Sequence, residues 1–388
     1  MLNSPERANP AARVGLGAGV ATLGGLAAAG AARTASRHRM RKGPDPYAGI
    51  DFTTIYDDPA STVYTDDGVP LAVRTVDLGE LAPGDTPELT VIFVHGFSLR
   101  MASWHFQRYA LAQQWADRRI RMVFYDNRGH GRSGVASAPT CTMEQLADDA
   151  LSVIDATAPC GPVVLVGHSM GGMTVMALAR THPELFAADG RVAGVALVAT
   201  AASGLTEDGI GRGLRNPLLN GFAVAARNTP RVVEAGRDLT RLILEPVLVA
   251  ASFGSDFHSP AAGRAVEKMI QNTPIVTVVN FLTALERHDE ARGLPVIARI
   301  PSVVVCGDED RMTPLANSRF MYRELAGNSR LEVVEGAGHM VLMEVPDRVT
   351  DAIADLVERA RPSVPAPAAV VATPTTRRRW WQRWTARR

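Results

Sequence analysis

A serine hydroxyl becomes a useful nucleophile only when a base within hydrogen-bond reach can take its proton. That base in turn needs a carboxylate to fix its tautomer. The sequence carries all three parts in one order: Gly167-His168-Ser169-Met170-Gly171 fits G-x-S-x-G, acids follow at Asp308, Glu309 and Asp310, and a histidine follows at His339. The serine motif stands between an apolar run at residues 163–166 and a helical stretch at 173–180. A strand-to-helix turn there must reverse so sharply that the serine backbone is strained and its neighbours almost touch, so Gly167 and Gly171 are the residues that fit. The reversal would lift the hydroxyl above a sheet, with the first helical N–H groups beside the reacting carbon to stabilise an oxyanion. The acids close the run "VVVCGDEDRMTP" and the histidine closes "VVEGAGHMVLMEVP", so every part falls at the end of a strand-like segment.

The surrounding pattern predicts what positions them. "STVYTDDGVPLAVRTVDLG" alternates apolar and polar residues about Asp67-Gly68, as an antiparallel hairpin does. Six later runs, "TVIFVHG", "RMVFYDNRG", "PVVLVGHS", "VAGVALVAT", "IPSVVVCGDED" and "RLEVVEGAGH", are short, β-branched and apolar. Runs of that kind are strands buried on both faces. Helical stretches such as "MASWHFQRYALAQQWADR" and "TMEQLADDALSVIDATA" separate them. Alternating strand and helix predicts an α/β protein with a mainly parallel sheet and helices on both faces. One interval, residues 203–292, holds no buried-strand pattern and reads as a helical insertion, with stretches such as "NPLLNGFAVAARN" and "DLTRLILEPVLVAASFG".

Composition narrows the function class. The 388 residues are 46% hydrophobic and 21% charged with a formal net charge of +1, a globular balance that argues against a nucleic-acid partner. Cys141, Cys160 and Cys306 are odd in number and widely spaced, which fits neither a disulfide framework nor a zinc site. They read as small buried apolar residues.

The ends differ from the body. Residues 14–32 form an uncharged Ala/Gly-rich stretch followed by "RTASRHRMRK". Three readings compete: a membrane anchor with its basic flank on the cytoplasmic side, a disordered leader, or a signal peptide. The first would leave the body cytoplasmic, at the inner face of the membrane, and the last would export it. After a Pro/Ala linker, residues 377–388 gather six arginines and three tryptophans, which reads either as a contact for an anionic lipid surface or as a disordered tail with no such role.

Taken together, "VHGF" (94–97), "DNRGHGRS" (126–133), "GHSMGG" (167–172), "GDEDRMTP" (307–314) and "GAGHMVLMEVP" (336–346) resemble the α/β-hydrolase superfamily. The likeness is to its serine-nucleophile esterases, monoacylglycerol lipases and non-haem haloperoxidase-like members. It implies a mostly parallel eight-stranded sheet with a helical cap inserted after strand 6. The expected divisions are an N-terminal segment 1–46, core 47–202, cap 203–292, core 293–361 and a tail 362–388. The resemblance selects Asp310 as the acid, three residues after the strand-ending glycine, with Asp308 as the fallback. It also makes the backbone N–H groups of Phe97 and Met170 the oxyanion donors. His95, Asp126, Arg128 and His130 are then structural, His168 packs in the elbow, and His105, His258 and His288 belong to the surface or the cap.

Ser169, Asp310 and His339 would therefore cleave carboxylic esters through an acyl-enzyme, with lipophilic esters favoured by the apolar insertion. A perhydrolase or an acyl transferase would use the same triad. An inactive membrane-tethered binding protein is the alternative of another class. No phosphate loop, dinucleotide fingerprint or metal cluster accompanies the motif, so no cofactor is expected.

Overall fold

The six apolar runs and the hairpin assemble into one sheet. In the computed structural model, which describes residues 44–82, 84–205, 248–249 and 251–360, its strands are β1 (Ala60–Tyr64), β2 (Pro70–Asp77), β3 (Leu89–Val94), β4 (Ile120–Tyr125), β5 (Val163–His168), β6 (Val192–Val198), β7 (Ser302–Gly307) and β8 (Ser329–Val334). The order is β1-β2-β4-β3-β5-β6-β7-β8. β1 and β2 pair antiparallel with their neighbours, and every pairing from β4 to β8 is parallel. Every residue of β3, β5 and β7 is buried, because helices cover both faces. β8, at the sheet edge, is half-buried or exposed except at Val334.

Helices α1 (His105–Gln114), α2 (Met143–Thr157), α3 (Met170–Thr181), α4 (Pro260–Asn272), α5 (Ile275–Glu286), α6 (Leu315–Leu325) and α7 (Pro346–Arg359) follow in chain order. Two apolar layers result, one on each side of the sheet. Phe93, Trp104, Leu111, Ile353 and Leu356 belong to the layer under α1 and α7. Leu146, Val153, Met173, Met176 and Met321 belong to the layer under α2, α3 and α6. Thr142 caps α2 by accepting from the Gln145 N–H, where "TMEQ" offers the Ser/Thr-x-x-Glu/Gln start signal.

The interval 203–292 falls between β6 and β7. Its departure and return lie side by side: Ser203 bridges Asp289, Glu290 N–H donates to the Ala202 carbonyl at 2.7 Å, and the His288 ring meets the Ala201 carbonyl at 2.8 Å. His288, expected at the surface or in the cap, is thus buried at the insertion's root. The stretch at 216–228, the apolar segment 14–32 with its basic flank, and the Arg/Trp tail at 377–388 lie outside the described residues. Among the described residues no helix is long and apolar enough to cross a membrane. One expectation is corrected: Cys141 and Cys306 are buried, but Cys160 is exposed, because it sits in the turn joining α2 to β5.

The loop after β4 is held by a buried polar network. The Asp126 carboxylate accepts from the N–H groups of Met101 and Arg132, each at 2.8 Å, and from the Tyr56 hydroxyl. Arg128 is fully buried against the equally buried Asp149 and also reaches Asp67. Removing one partner of a buried pair strands the other charge, so Asp149→Ala should cost about 3 kcal/mol. Urea unfolding measures this, and a loss under about 1 kcal/mol would mean that Asp67 alone satisfies the guanidinium.

Candidate active site

β5 delivers Ser169 at its carboxyl end. Ser169 takes φ +53° and ψ −120°, a left-handed conformation that L-residues rarely hold. Several bonds fix it there. Its N–H donates to the Val198 carbonyl at 3.0 Å, and its own carbonyl accepts from the Thr200 hydroxyl at 2.7 Å and from Gly172 N–H at 2.9 Å. A Cβ at Gly167 would stand 2.4 Å from the Gly171 carbonyl oxygen, and one at Gly171 would stand 2.1 Å from the Val94 carbonyl oxygen. The second glycine is therefore demanded by β3 as well as by the turn itself. Because one residue completes the reversal, α3 starts at Met170 rather than at residue 173.

The loop after β8 brings His339 over the serine. Its Nε2 lies 3.0 Å from Ser169 Oγ, and its Nδ1 lies 2.9 Å from Asp310 Oδ2. Asp310, after β7, is buried, and Asp308 is not the partner: it is exposed and accepts from Gly336 N–H at 2.7 Å. What separates them is a local turn. Asp310 Oδ1 accepts from the N–H groups of Met312 and Thr313 at 2.8 and 2.9 Å, and Oδ2 accepts from the Thr313 hydroxyl at 2.7 Å. Burial pushes the Asp310 carboxyl upward, but the adjacent His339 and the Thr313 hydrogen bonds outweigh it and hold the group below its ordinary value. It is thus charged, and it can accept Nδ1–H and leave Nε2 free to receive a proton. Thr313 was missed from the sequence, although the Asp-x-x-Thr spacing after a strand is the signal of such a turn.

His168 does more than fill the elbow. Its Nε2 meets the His339 backbone carbonyl at 3.0 Å. Burial pulls its pKa down to about 3, so the ring is neutral and donates Nε2–H to that carbonyl.

Phe97 and Met170 carry the two backbone N–H groups expected to receive an oxyanion. Neither finds an acceptor among the described residues. The loop from Gly96 to Ser98 runs against the serine, since a Cβ on Gly96 would lie 3.0 Å from Ser169 Cβ. Two neutral histidines pin that loop. His95 Nε2 accepts from Asn127 N–H at 2.9 Å, and His130 Nε2 accepts from Ser98 N–H at 3.2 Å. Burial lowers their pKa values to about 4 and about 3. With the Ser98 N–H occupied, the Phe97 N–H is the one left unengaged.

Above Ser169 and His339 opens an apolar pocket. The core supplies Phe97, Leu99, Met173 and Met340, and the insertion supplies Leu205, Leu248, Val266, Ile270, Leu282 and Leu285. Among the described residues no group of three or more His, Cys, Asp or Glu side chains gathers as a metal site would.

Known proteins resemble the chain in sequence and in fold. The chain is 28% identical to a dihydrolipoyllysine-residue acetyltransferase component of an acetoin cleaving system from Pseudomonas putida, over 71% of this chain and 64% of that protein, so it spans less than two thirds of that relative. It is 25% identical to a monoacylglycerol lipase from Mycolicibacterium smegmatis, over 68% of this chain and 85% of the lipase. A thermophilic esterase from Thermogutta terrifontis superposes with a TM-score of 0.60 at 26% identity, covering 78% of this chain and all of the esterase chain. The alpha/beta hydrolase family model matches residues 91–352, from β3 into α7, and the chain belongs to that family.

Proposed function

We propose that this protein hydrolyses carboxylic esters with lipophilic acyl groups through an acyl-enzyme. The observation that carries the reading is the hydrogen-bonded line Asp310–His339–Ser169 at the floor of an apolar pocket. The monoacylglycerol lipase and esterase among its similar proteins support the ester class. Ser169 Oγ attacks the ester carbonyl while His339 Nε2 takes its proton. Asp310 stabilises the resulting imidazolium, and the Phe97 and Met170 N–H groups receive the oxyanion. Collapse expels the alcohol, which takes the proton from His339 and leaves an ester on Ser169. Water, deprotonated by the same His339, then releases the acid and restores the serine. In this reading residues 203–292 are a cap over two core halves, 47–202 and 293–361, and its leucines, valine and isoleucine hold the acyl chain.

Hydrolysis of p-nitrophenyl esters from acetyl to palmitoyl tests the reading. Turnover should rise beyond acetyl and should fall by about a millionfold in kcat in Ser169→Ala. Turnover that survives this substitution would exclude the acyl-enzyme. Asp310→Asn should lower kcat by about 10⁴-fold, because the base then takes the wrong tautomer, whereas Asp308→Asn should change it by less than about twofold. Equal losses in the two variants would overturn the assignment of the acid.

A further inference from the structure

Among the described residues, the insertion meets the core above the nucleophile at Thr273, whose hydroxyl donates to the Ser98 carbonyl at 3.3 Å, and along Ser252 to Ser255, where several hydrogen bonds reach the segments that carry Asp310 and His339. Met340, which follows His339, donates its N–H to the Ser252 carbonyl at 2.8 Å. Ser255 donates its hydroxyl to Glu309 at 2.7 Å and its N–H to the same carboxylate, next to Asp310. Gly254 N–H donates to Glu344 Oε2 at 2.7 Å, and the other oxygen of that carboxylate accepts from Gly338 N–H at 2.9 Å, the residue before His339. Glu344 is only 8% exposed, and it ends the short helix Val341–Glu344.

The junction has no slack. A Cβ on Gly254 would stand 2.1 Å from the Gly336 carbonyl oxygen, and one on Gly338 would stand 2.5 Å from Gly254 N. The stretch is also continuous with the pocket wall, since Ser252 donates its hydroxyl to the carbonyl of Leu248, and both residues line the pocket. We propose that Glu344 is a positioning residue whose single carboxylate clasps the pocket's roof to the His339 loop, so that roof closure and placement of the base are one event. This inference rests on the serine-hydrolase reading above.

A carboxylate can accept from both N–H groups at once, whereas its protonated form presents an O–H toward one of two donors. The clasp therefore depends on charge. Burial pushes the Glu344 pKa up to about 7, against the pull of the two N–H donors. Of the titratable groups facing it, Asp310 pushes the same way and His339 opposes, and the Tyr47 hydroxyl lies within its field. The sign follows: as pH falls through about 7 Glu344 gains a proton and the clasp loosens, and above that pH it is charged and closed. Protonation of Glu344 should therefore lower kcat/KM on the acid limb in a step centred near pH 7, by about the factor that its neutral amide variant costs at pH 8.

The experiment compares the full-length chain with Glu344→Gln and Gly254→Ala in p-nitrophenyl butyrate hydrolysis across pH 5 to 8.5, with a fluorophosphonate probe reporting on Ser169. Glu344→Gln should lower kcat at pH 8 about tenfold, raise KM, and remove the step near pH 7 from the acid limb. A residue that merely stabilised the fold would not change that step. Gly254→Ala pries the same junction from the opposite side and should reproduce the loss of kcat. A folded Glu344→Gln protein with wild-type kcat and an unchanged limb would overturn the proposal. If that variant fails to fold, wild-type kcat in Gly254→Ala would overturn it instead. A wild-type protein that neither turns over esters nor is labelled at Ser169 would defeat the hydrolase reading, a separate result that removes this inference with it.

Discussion

An L-residue held at φ +53° is the condition on which the site depends. Left to itself, Ser169 would relax into an ordinary turn, and its hydroxyl would fall away from His339. Strain of this kind costs on the order of 1–3 kcal/mol and persists only where the surroundings over-determine it. Here β6 binds the serine N–H and Thr200 binds its carbonyl, while β3 presses so close to Gly171 that no side chain fits. The energy that keeps the serine exposed comes from the buried strands on either side, which is why the sheet must be parallel, central and covered on both faces.

The loops at the carboxyl ends of the strands then need to be rigid. His95, His130 and His168 are buried deeply enough to remain neutral near pH 7, so each offers one donor and one acceptor. His95 and His130 use both nitrogens to bridge two backbone groups, whereas His168 engages only Nε2, on the His339 carbonyl. Asp126 performs the complementary task with a carboxylate, collecting donors from the loops after β3 and β4.

Much of this was legible in the residues because it is local. The Asp67-Gly68 hairpin closes through Gly68 N–H donating to the Thr65 carbonyl, and the six apolar runs became six strands since period and burial are written into short segments. Ser169, Asp310 and His339 could be picked out for the same reason, each following a strand. What the residues concealed was long-range. Asp308 and Asp310 differ by two positions, and only the Thr313 turn and the approach of His339 separate them. Glu344 has the appearance of a surface acid at the start of a helical stretch, and its burial depends on Gly254, 90 residues earlier in the chain. The placement of β4 outside β3 and the exposure of Cys160 are likewise products of assembly rather than of local pattern.

The adjacency of Ser203 and Asp289 has a consequence for how such a molecule can change. Because the chain leaves the core and returns to it at nearly one point, the core experiences the interval as a closed loop whose length enters its stability only logarithmically. Residues can be gained, lost or exchanged within it while the strand register and the elbow stay untouched. The lining of the pocket and the contact between Ser169 and His339 can thus drift separately, tied to each other through the bonds at Ser252, Gly254, Ser255 and Thr273.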